Sequence, residues 1–322
     1  MMSFVSMDAQ DSSYRLDSIV TQEGVYTKYV YDYDENGRIK TSTGYRNENM
    51  PDPYDKHECF YGDNGLPEMV VAYRMDSNSQ WQEKFKTEYS YDSAGKITEV
   101  SQFCKEQNGW SLFCRKERGY SPDGVLIAES VENYKDAQRI SGTLLSFEHE
   151  GGNIVRATLY SKEGSELQNE SKDEYVYDEK GRNIEHVKYN YEDGKWNIHF
   201  TEKMCYGSDG MMNMAEYHIP SDNGNYGNKI LILRDAGGNV LAKQQYSISH
   251  PGVFTEQTSY VYDLNSSAQL LQCIGLDESV CSAMFFPIDR IKENKPLVIH
   301  ESRITSEGVS IVDNRYYYTR IE

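Results

Sequence analysis

The segment Tyr175-Val176-Tyr177-Asp178-Glu179-Lys180-Gly181 contains the pattern that decides the fold of this 322-residue chain. Tyr175 and Tyr177 stand two residues apart, so a β-strand places both rings on one face. Asp178 and Gly181 have the spacing of a type I turn, in which the aspartate side chain accepts a local backbone N–H and the glycine tolerates a positive φ. The segment therefore predicts a strand that ends in the turn of a β-hairpin.

A large apolar residue four positions before a glycine recurs along the chain. Eight copies are present, at Tyr33/Gly37, Tyr61/Gly65, Tyr91/Gly95, Tyr120/Gly124, Phe147/Gly151, Tyr177/Gly181, Tyr206/Gly210 and Leu233/Gly237. A ninth copy, at Tyr262-Asp263, lacks the glycine. Because successive copies are 27–30 residues apart, the chain is an array of repeats. The residues predicted to form the turns are Asp34, Gly37, Gly65, Asp92, Gly95, Gly124, Asp178, Gly181, Gly210 and Gly237.

Each repeat also has turn-forming residues near its midpoint, for example Asp76-Ser77-Asn78-Ser79 and Glu192-Asp193-Gly194. Two turns per repeat leave two strands of about ten residues each. The predicted fold is all-β, an antiparallel meander of about 18 strands curled into a single large coiled or barrel-like sheet, since so wide a sheet does not stay flat. Residues 11–274 are predicted to form the repeats and residues 275–322 a degenerate repeat that caps the array. Residues 1–10 are interpreted as the remnant of a signal peptide or a disordered tail.

The chain is strongly acidic. It has 33 Lys and Arg residues against 51 Asp and Glu residues, which gives a net charge of −18. Such a surface repels phosphate groups, so nucleic acid is not expected as a partner, and anionic membranes are disfavoured for the same reason. The chain also lacks a run of about 18 apolar residues, so the sequence predicts no transmembrane segment.

The opening segment, together with Tyr29-Val30-Tyr31-Asp32 and Tyr89-Ser90-Tyr91-Asp92-Ser93-Ala94-Gly95, resembles the YD repeats of the bacterial RHS family over residues 25–265. The period is longer than is usual in RHS arrays. It is more similar to that of secreted bacterial repeat proteins of uncharacterised function. The resemblance implies an extracytoplasmic protein, whether secreted, periplasmic or on the outer surface, whose hairpins coil into a shell or spiral. It supplies no catalytic residues.

All three tryptophans, Trp81, Trp110 and Trp196, follow a mid-repeat turn at the same phase of the repeat. Strict alternation predicts that Trp81 shares a face with Tyr89, and that Trp196 shares a face with Phe200. Two interpretations are open. The tryptophans form either an aromatic ladder that packs the sheet or a row on which a ligand stacks.

The cysteines bear on the compartment. Cys104 and Cys114 flank the Asn108-Gly109 turn, and Cys273 and Cys281 flank a second turn. On two hairpins the members of each pair are predicted to lie opposite or nearly opposite each other. Cross-strand disulfides would then fit the geometry and an oxidising compartment. Free buried thiols are the alternative.

The sequence contains no complete catalytic or metal-binding motif. Asp32-Tyr33-Asp34-Glu35-Asn36-Gly37 matches the first half of an EF-hand calcium loop, but Thr43 stands where the loop needs a glutamate. The seven histidines form no HExxH motif. We therefore predict no catalytic residue, no metal and no cofactor.

These observations predict a non-enzymatic, extracytoplasmic repeat protein that acts as a scaffold or binding surface for a glycan or another protein. An exposed sheet face would also allow a homodimer. Two alternatives are open. One is a carbohydrate-active hydrolase, which needs two interior carboxyl groups about 5–10 Å apart. The other is a shell or carrier that encloses a ligand.

Overall fold

A computed structural model describes residues 14–23, 25–46, 52–164, 166–221, 226–236, 239–249, 254–262, 296–305 and 308–320. These ranges contain twenty β-strands and no helix. Accordingly, no membrane-spanning helix occurs within them. Residues 1–10, Gly237, Cys273 and Cys281, which carry sequence predictions, lie outside the described residues.

The strands are β1 (Tyr14–Glu23), β2 (Val25–Tyr33), β3 (Ile39–Arg46), β4 (Asp52–Tyr61), β5 (Pro67–Met75), β6 (Trp81–Tyr91), β7 (Ile97–Glu106), β8 (Gly109–Tyr120), β9 (Leu126–Lys135), β10 (Gln138–Glu150), β11 (Asn153–Glu163), β12 (Glu166–Tyr177), β13 (Asn183–Glu192), β14 (Lys195–Tyr206), β15 (Met212–Ile219), β16 (Tyr226–Arg234), β17 (Val240–Ser247), β18 (Phe254–Tyr262), β19 (Pro296–Thr305) and β20 (Gly308–Arg320).

The twenty strands form one antiparallel sheet. Each strand pairs with the next one along the chain, and β1 pairs with β20 as well as with β2. Each strand therefore has a partner on both sides. The predicted all-β fold, an antiparallel meander in one curled sheet, is confirmed. The last two strands, β19 and β20, belong to this same sheet.

The motif turns share one geometry. Between β2 and β3, the Gly37 N–H donates to the Asp34 carbonyl (3.0 Å) and the Asp34 N–H donates to the Arg38 carbonyl (2.8 Å). Gly37 has a φ of 75°, as expected for a type I turn followed by a glycine bulge. The same pair of bonds closes the turns at residues 62–66, 92–96, 121–125, 178–182 and 207–211.

The copy predicted at Phe147/Gly151 differs from the others. Phe147 pairs with Ala157 inside the hairpin, and β10 continues to Glu150. The turn is the dipeptide Gly151-Gly152, whose φ angles of 57° and 85° fit a two-residue type I′ turn. The prediction of a motif turn here is wrong, because two adjacent glycines favour a tighter turn that closes further along the chain.

The two faces of the sheet differ in burial. The tyrosine face carries Tyr31, Cys59 and Tyr89, all of them buried. The opposite face carries Lys56 and Lys86, and we call it the lysine face. The best-buried cluster lies on the tyrosine face of β1–β7, β18 and β20. Its members are Leu16, Ile19, Tyr31, Ile39, Cys59, Val70, Tyr89, Ile97, Tyr262 and Tyr316.

A β-bulge changes the alternation of β6. The register with β5 shifts between Glu83 and Phe85, which leaves Lys84 as the extra residue. Trp81 therefore lies on the lysine face, whereas Tyr89 lies on the tyrosine face. The prediction that the two share a face is wrong, because strict alternation makes no allowance for a bulge.

The strand β14 has the same irregularity. Its register with β13 shifts between Ile198 and Phe200, so His199 is the extra residue. Trp196 lies on the lysine face with Ile198, and Phe200 lies on the tyrosine face. The prediction that Trp196 and Phe200 share a face is wrong for the same reason.

Candidate binding face

The motif aspartates cap their own turns. Asp178 Oδ1 accepts hydrogen bonds from the backbone N–H groups of Lys180 (2.9 Å) and Arg182 (3.0 Å), and Arg182 Nε donates to Asp178 Oδ2 (2.7 Å). The bonds from Arg182 hold the pKa of the Asp178 carboxyl below its ordinary value. Asp34 and Asp92 accept the equivalent backbone bonds. The structure thus places these three predicted aspartates in a structural role.

The motif glycines adopt the left-handed backbone conformation. The φ angles lie between 74° and 83° at Gly37, Gly65, Gly95, Gly124, Gly181 and Gly210. Where glycine also replaces the aspartate, the residue two positions later supplies the cap. Asn64 Oδ1 accepts the Leu66 N–H (2.9 Å), and Asp209 Oδ1 accepts the Met211 N–H (3.0 Å). Different residues therefore maintain one turn.

The motif tyrosine connects each repeat to the preceding one. Tyr61 OH donates to the main-chain carbonyl of Ile39 (2.7 Å), the first residue of β3. Equivalent bonds run from Tyr33, Tyr91, Tyr120, Tyr177 and Tyr206 to the carbonyls of Leu16, Pro67, Ile97, Ile154 and Asn183, respectively. The tyrosine therefore contributes a hydrogen bond between repeats in addition to its apolar surface.

A basic residue after the motif glycine has a role that the sequence reasoning missed. It lies over the motif tyrosine of the next copy, with distances to the ring centroid of 4.1 Å for Arg38 and Tyr61, 5.4 Å for Lys96 and Tyr120, and 4.5 Å for Arg182 and Tyr206. These distances are in the range of cation–π contacts. The available signal was the recurrence of Arg or Lys directly after the glycine.

The lysine face carries a second repeated arrangement. Lys56 of β4 extends over Tyr73 of β5, with Nζ 4.4 Å from that ring centroid, and reaches Trp81 of β6 at 5.4 Å. Two further sets have the same geometry: Lys86, Phe103 and Trp110 (4.5 and 5.3 Å), and Lys172, Tyr189 and Trp196 (4.3 and 5.4 Å). We call each set a lysine–aromatic–tryptophan triplet. The three tryptophans predicted from their common phase thus occupy equivalent sites.

Each triplet lysine is also paired with a glutamate two residues further along its strand. The Nζ to carboxylate distances are 2.6 Å for Lys56 and Glu58, 2.7 Å for Lys86 and Glu88, and 2.8 Å for Lys172 and Glu174. Glu58 additionally accepts the Tyr73 hydroxyl (2.9 Å). Sequence reasoning missed these lysines, although each stands five residues before a motif tyrosine.

Several steps of the array lack the lysine, the tryptophan or both. Gly142 stands five residues before Phe147, where other copies have the lysine. Leu167 stands ten residues before Tyr177, where other copies have the tryptophan, and it is 48% exposed. Thr201 and Asn223 mark a second joint loss, whereas Lys28 is followed by Pro51 in the tryptophan position, so the two residues are not always lost together.

The tyrosine face carries a charged cluster around His186. Its Nε2 lies 2.7 Å from Asp173 Oδ1 and its Nδ1 lies 3.6 Å from Glu202 Oε2. The imidazole also stacks on Tyr175, with 4.7 Å between ring centroids. Burial lowers the pKa of His186, but the hydrogen bonds and charges of the two carboxylates outweigh it and raise the pKa to about 9. An imidazolium therefore lies between the two acids at neutral pH.

The predicted disulfide between Cys104 and Cys114 is not formed, since both residues are free thiols. The register of β7 and β8 places Cys104 opposite Ser111 and Cys114 opposite Gln102. The two cysteines are thus diagonal neighbours, for which separations of about 7–8 Å are usual, too far for a disulfide. The structure favours the free-thiol alternative, because the hairpin turns at residues 107–108, between Glu106 and Gly109, and this turn places Cys104 opposite Ser111 and not opposite Cys114.

Two carboxylates of the EF-hand-like segment already have partners. Asp32 Oδ2 accepts the hydroxyl of Thr41 (2.9 Å), and Asp34 Oδ1 accepts backbone N–H groups of its own turn. Within the described ranges, no three His, Cys, Asp or Glu side chains group as metal ligands would. The segment therefore serves as a turn in this structure.

Residues 125–233 match the family DUF3836, described as a family of unknown function. No curated protein matches the chain. A DUF3836 family protein from Bacteroides vulgatus is 23% identical, with a TM-score of 0.23, and the match covers 25% of this chain and 83% of that one. A DUF3836 family protein from Parabacteroides distasonis is 24% identical, with a TM-score of 0.23, and the match covers 26% of this chain and 78% of that one. The TcdB2-TccC3-Cdc42 structure is 8% identical, with a TM-score of 0.28, and the match covers 91% of this chain and 19% of that one.

Proposed function

We propose that this protein is a non-enzymatic, extracytoplasmic binding protein that holds a glycan against its lysine face. The threefold recurrence of the lysine–aromatic–tryptophan triplet carries this proposal. The motif turns recur because the fold needs them. The triplet occurs at three steps of the array and is absent from others, for example at Gly142 and Leu167, which is typical of a feature that the fold itself does not require.

The chemistry of the triplet suits a sugar. A pyranose ring has an apolar C–H face that packs on an aromatic ring, and hydroxyls that pair with charged side chains. Trp81 and Trp110 are partly exposed on the lysine face and supply the aromatic surface. The paired Lys86 and Glu88 supply donors and acceptors beside it. The same side chains also pack the sheet, as the aromatic-ladder interpretation requires.

The contacts of the acidic residues support a non-enzymatic role. A glycoside hydrolase needs two carboxyl groups with room between them for a sugar bond or a water molecule. Asp173 and Glu202 are two such groups on the tyrosine face, but the ring of His186 lies between them. Asp173 also contacts Lys188 Nζ at 3.4 Å. Both carboxylates are thus engaged in ion pairs.

The extracytoplasmic location is supported by the resemblance of the motif to YD repeats. We expect antibodies against the protein to detect it in the periplasm, at the outer surface or in the medium of fractionated cells of its native organism. Recovery in the cytoplasmic fraction alone would reject the extracytoplasmic location. The binding role is tested separately, by glycan binding.

A glycan array tests the binding role. We expect the wild-type protein to bind a subset of immobilised glycans, and the double variant W81A/W110A to bind them about tenfold or more weakly, as is usual when a tryptophan is removed from the centre of a binding surface. The matched control is Phe85→Ala, which removes an aromatic side chain that is 51% exposed on the tyrosine face. No bound glycan, or equal binding by W81A/W110A and the wild type, would overturn the proposal. Capture of a protein by the lysine face, without glycan binding, would favour the protein-ligand alternative.

A further inference from the structure

We infer, on the basis of the proposed function, that the ligand is an uncharged glycan chain that crosses the strands and contacts two separate zones of the lysine face. The first zone contains Trp81 and Trp110. The second zone contains Trp196. The inference specifies both the charge of the ligand and its length.

The charge of each triplet is cancelled locally. The ammonium groups of Lys56, Lys86 and Lys172 lie within 2.8 Å of the carboxylates of Glu58, Glu88 and Glu174, respectively. No triplet lysine therefore offers an uncompensated charge to an acidic sugar. The whole chain, with a net charge of −18, adds a long-range repulsion of polyanions.

The ion pairs keep hydrogen-bonding capacity for hydroxyl groups. An ammonium has three donors and a carboxylate has about four acceptor sites, and one bond between the two leaves the rest available. Lys86 uses one donor on Glu88, and its side chain is 16% exposed against 43% for the glutamate. A sugar hydroxyl, which both donates and accepts, can satisfy both partners of such a pair. A sulfate or carboxylate group, which only accepts, can satisfy only the lysine.

The strands that supply the triplet residues give the direction in which the glycan crosses the sheet. The first triplet uses β4, β5 and β6, and the second uses β6, β7 and β8, so the two lie side by side across the strands. Trp81 and Trp110 are two strands apart, which is about 10 Å along the sheet. That spacing allows one short oligosaccharide to contact both rings.

The second zone is out of reach of a short oligosaccharide. Trp110 is on β8 and Trp196 is on β14, a separation of six strands or about 29 Å along the sheet. Neither intervening repeat has a tryptophan, since Ala137 and Leu167 stand ten residues before Phe147 and Tyr177. A ligand that contacts both zones must be a long chain, and simultaneous contact would raise its affinity through the effective concentration of the second zone.

The test compares neutral and acidic polysaccharides. Affinity electrophoresis of the full chain in gels containing laminarin, galactomannan, xyloglucan, polygalacturonate or heparin measures retardation for each probe. We expect retardation by at least one neutral polymer, little effect of added salt, and none by the two acidic polymers. Retardation by polygalacturonate or heparin that disappears at high salt would overturn the inference on charge and leave glycan binding intact.

The length requirement is tested with fragments of whichever neutral polymer binds. We expect Trp196→Ala to weaken binding of the long polymer about tenfold while leaving a short oligosaccharide unaffected. W81A/W110A should weaken both. Equal effects of Trp196→Ala on the long and short ligands would overturn the two-zone arrangement. Thermal melting of each variant and of Leu167→Trp confirms folding. A gain of affinity for the long polymer in Leu167→Trp would support a ligand that crosses the strands between the two zones. Absence of binding to every neutral and acidic probe would reject the proposed function itself.

Discussion

Tyr177, at the end of β12, donates a hydrogen bond of 2.8 Å to the main-chain carbonyl of Ile154, 23 residues earlier, near the start of β11 and just after a turn that has lost the motif. The preceding turn is Gly151-Gly152 and not an Asp-x-x-Gly turn, yet the bond from the tyrosine is kept. The connection between repeats thus depends on the tyrosine and a strand carbonyl, and tolerates a change of turn type.

Replacement of that hydroxyl should weaken the connection. We expect Tyr177→Phe to lower the free energy of unfolding by about 1 kcal/mol, because a partly buried carbonyl loses its side-chain donor. Urea denaturation measures the change. The matched control is Tyr226→Phe, at a tyrosine that is 62% exposed, where we expect no measurable change. Equal stability of Tyr177→Phe and the wild type would show that the bond contributes nothing net.

Replacement of a motif glycine by alanine should destabilise the fold. Gly95 has a φ of 78°, and we expect Gly95→Ala to cost about 1–2 kcal/mol because an L-residue is strained there. Gly119, in β8, is the control. A Cβ at that position meets its nearest atoms at 3.9–4.0 Å, so Gly119→Ala should be neutral or slightly stabilising. Thermal melting of both variants measures the change in stability. Similar losses of stability in Gly95→Ala and Gly119→Ala would contradict the role assigned to the motif glycine in the turn.

Stability should depend on pH through His186. Its pKa is raised from 6.5 to about 9 by Asp173 and Glu202, so the folded state holds this proton more tightly than the unfolded state does. The stabilisation is complete below about pH 6.5 and is lost as the pH rises through 9. Urea titrations across this range should show that the stability difference between the wild type and His186→Gln shrinks with rising pH. His199→Gln is the control for loss of a histidine. A difference that stays constant or grows with pH would rule out the charged pair.

The contact between lysine and tryptophan should be measurable as a coupling energy. A double-mutant cycle with Lys86→Met and Trp110→Leu should give a favourable coupling of about 0.5–1 kcal/mol, the range for a cation–π pair at the surface. The comparison cycle joins Lys86→Met with Trp196→Leu, which belong to different triplets and should be additive. Additivity in both cycles would contradict the view that each triplet acts as a unit.

The thiols should differ in reactivity. Cys59 is 5% exposed, and burial raises the pKa of its thiol to about 11. Cys205 is exposed. Iodoacetamide followed by peptide mass spectrometry should label Cys205 in the folded protein and leave Cys59 unlabelled until urea is added. Rapid labelling of Cys59 in the folded protein would show that the core around β4 opens readily.

The period of the motif was sufficient to predict the strands of the repeats and most of the turns between them, whereas β19 and β20 lie beyond the last copy of the motif. The turn at Asp178 and Gly181 could be predicted from the sequence because all of its hydrogen bonds lie within five consecutive residues. The faces of the tryptophans could not be predicted in the same way. Each bulge, such as the one at Lys84, exchanges the two faces for the rest of the strand, and no residue type marks it.

The candidate binding face was predictable only in part. The phase of Trp81, Trp110 and Trp196 singled out the tryptophans, because rare residues in equivalent positions stand out. The lysines were missed because lysine is common on exposed strands, and because each contacts a tryptophan two strands away. Contacts of this kind can be predicted only when the register of three adjacent strands is known.

Among the described strands, nineteen of the twenty pairings join strands that are consecutive in the order β1 to β20, and the pairing of β1 with β20 joins the two ends of that order. Of the consecutive pairs, β18 and β19 are separated by residues 263–295. Folding can therefore proceed by independent hairpin formation at many points, with little loss of chain entropy at each step. The meeting of the two ends requires all the intervening hairpins to be in place. The rate of complete folding is then set by the slowest hairpin and by this final end-to-end step, and not by a search for long-range contacts throughout the chain.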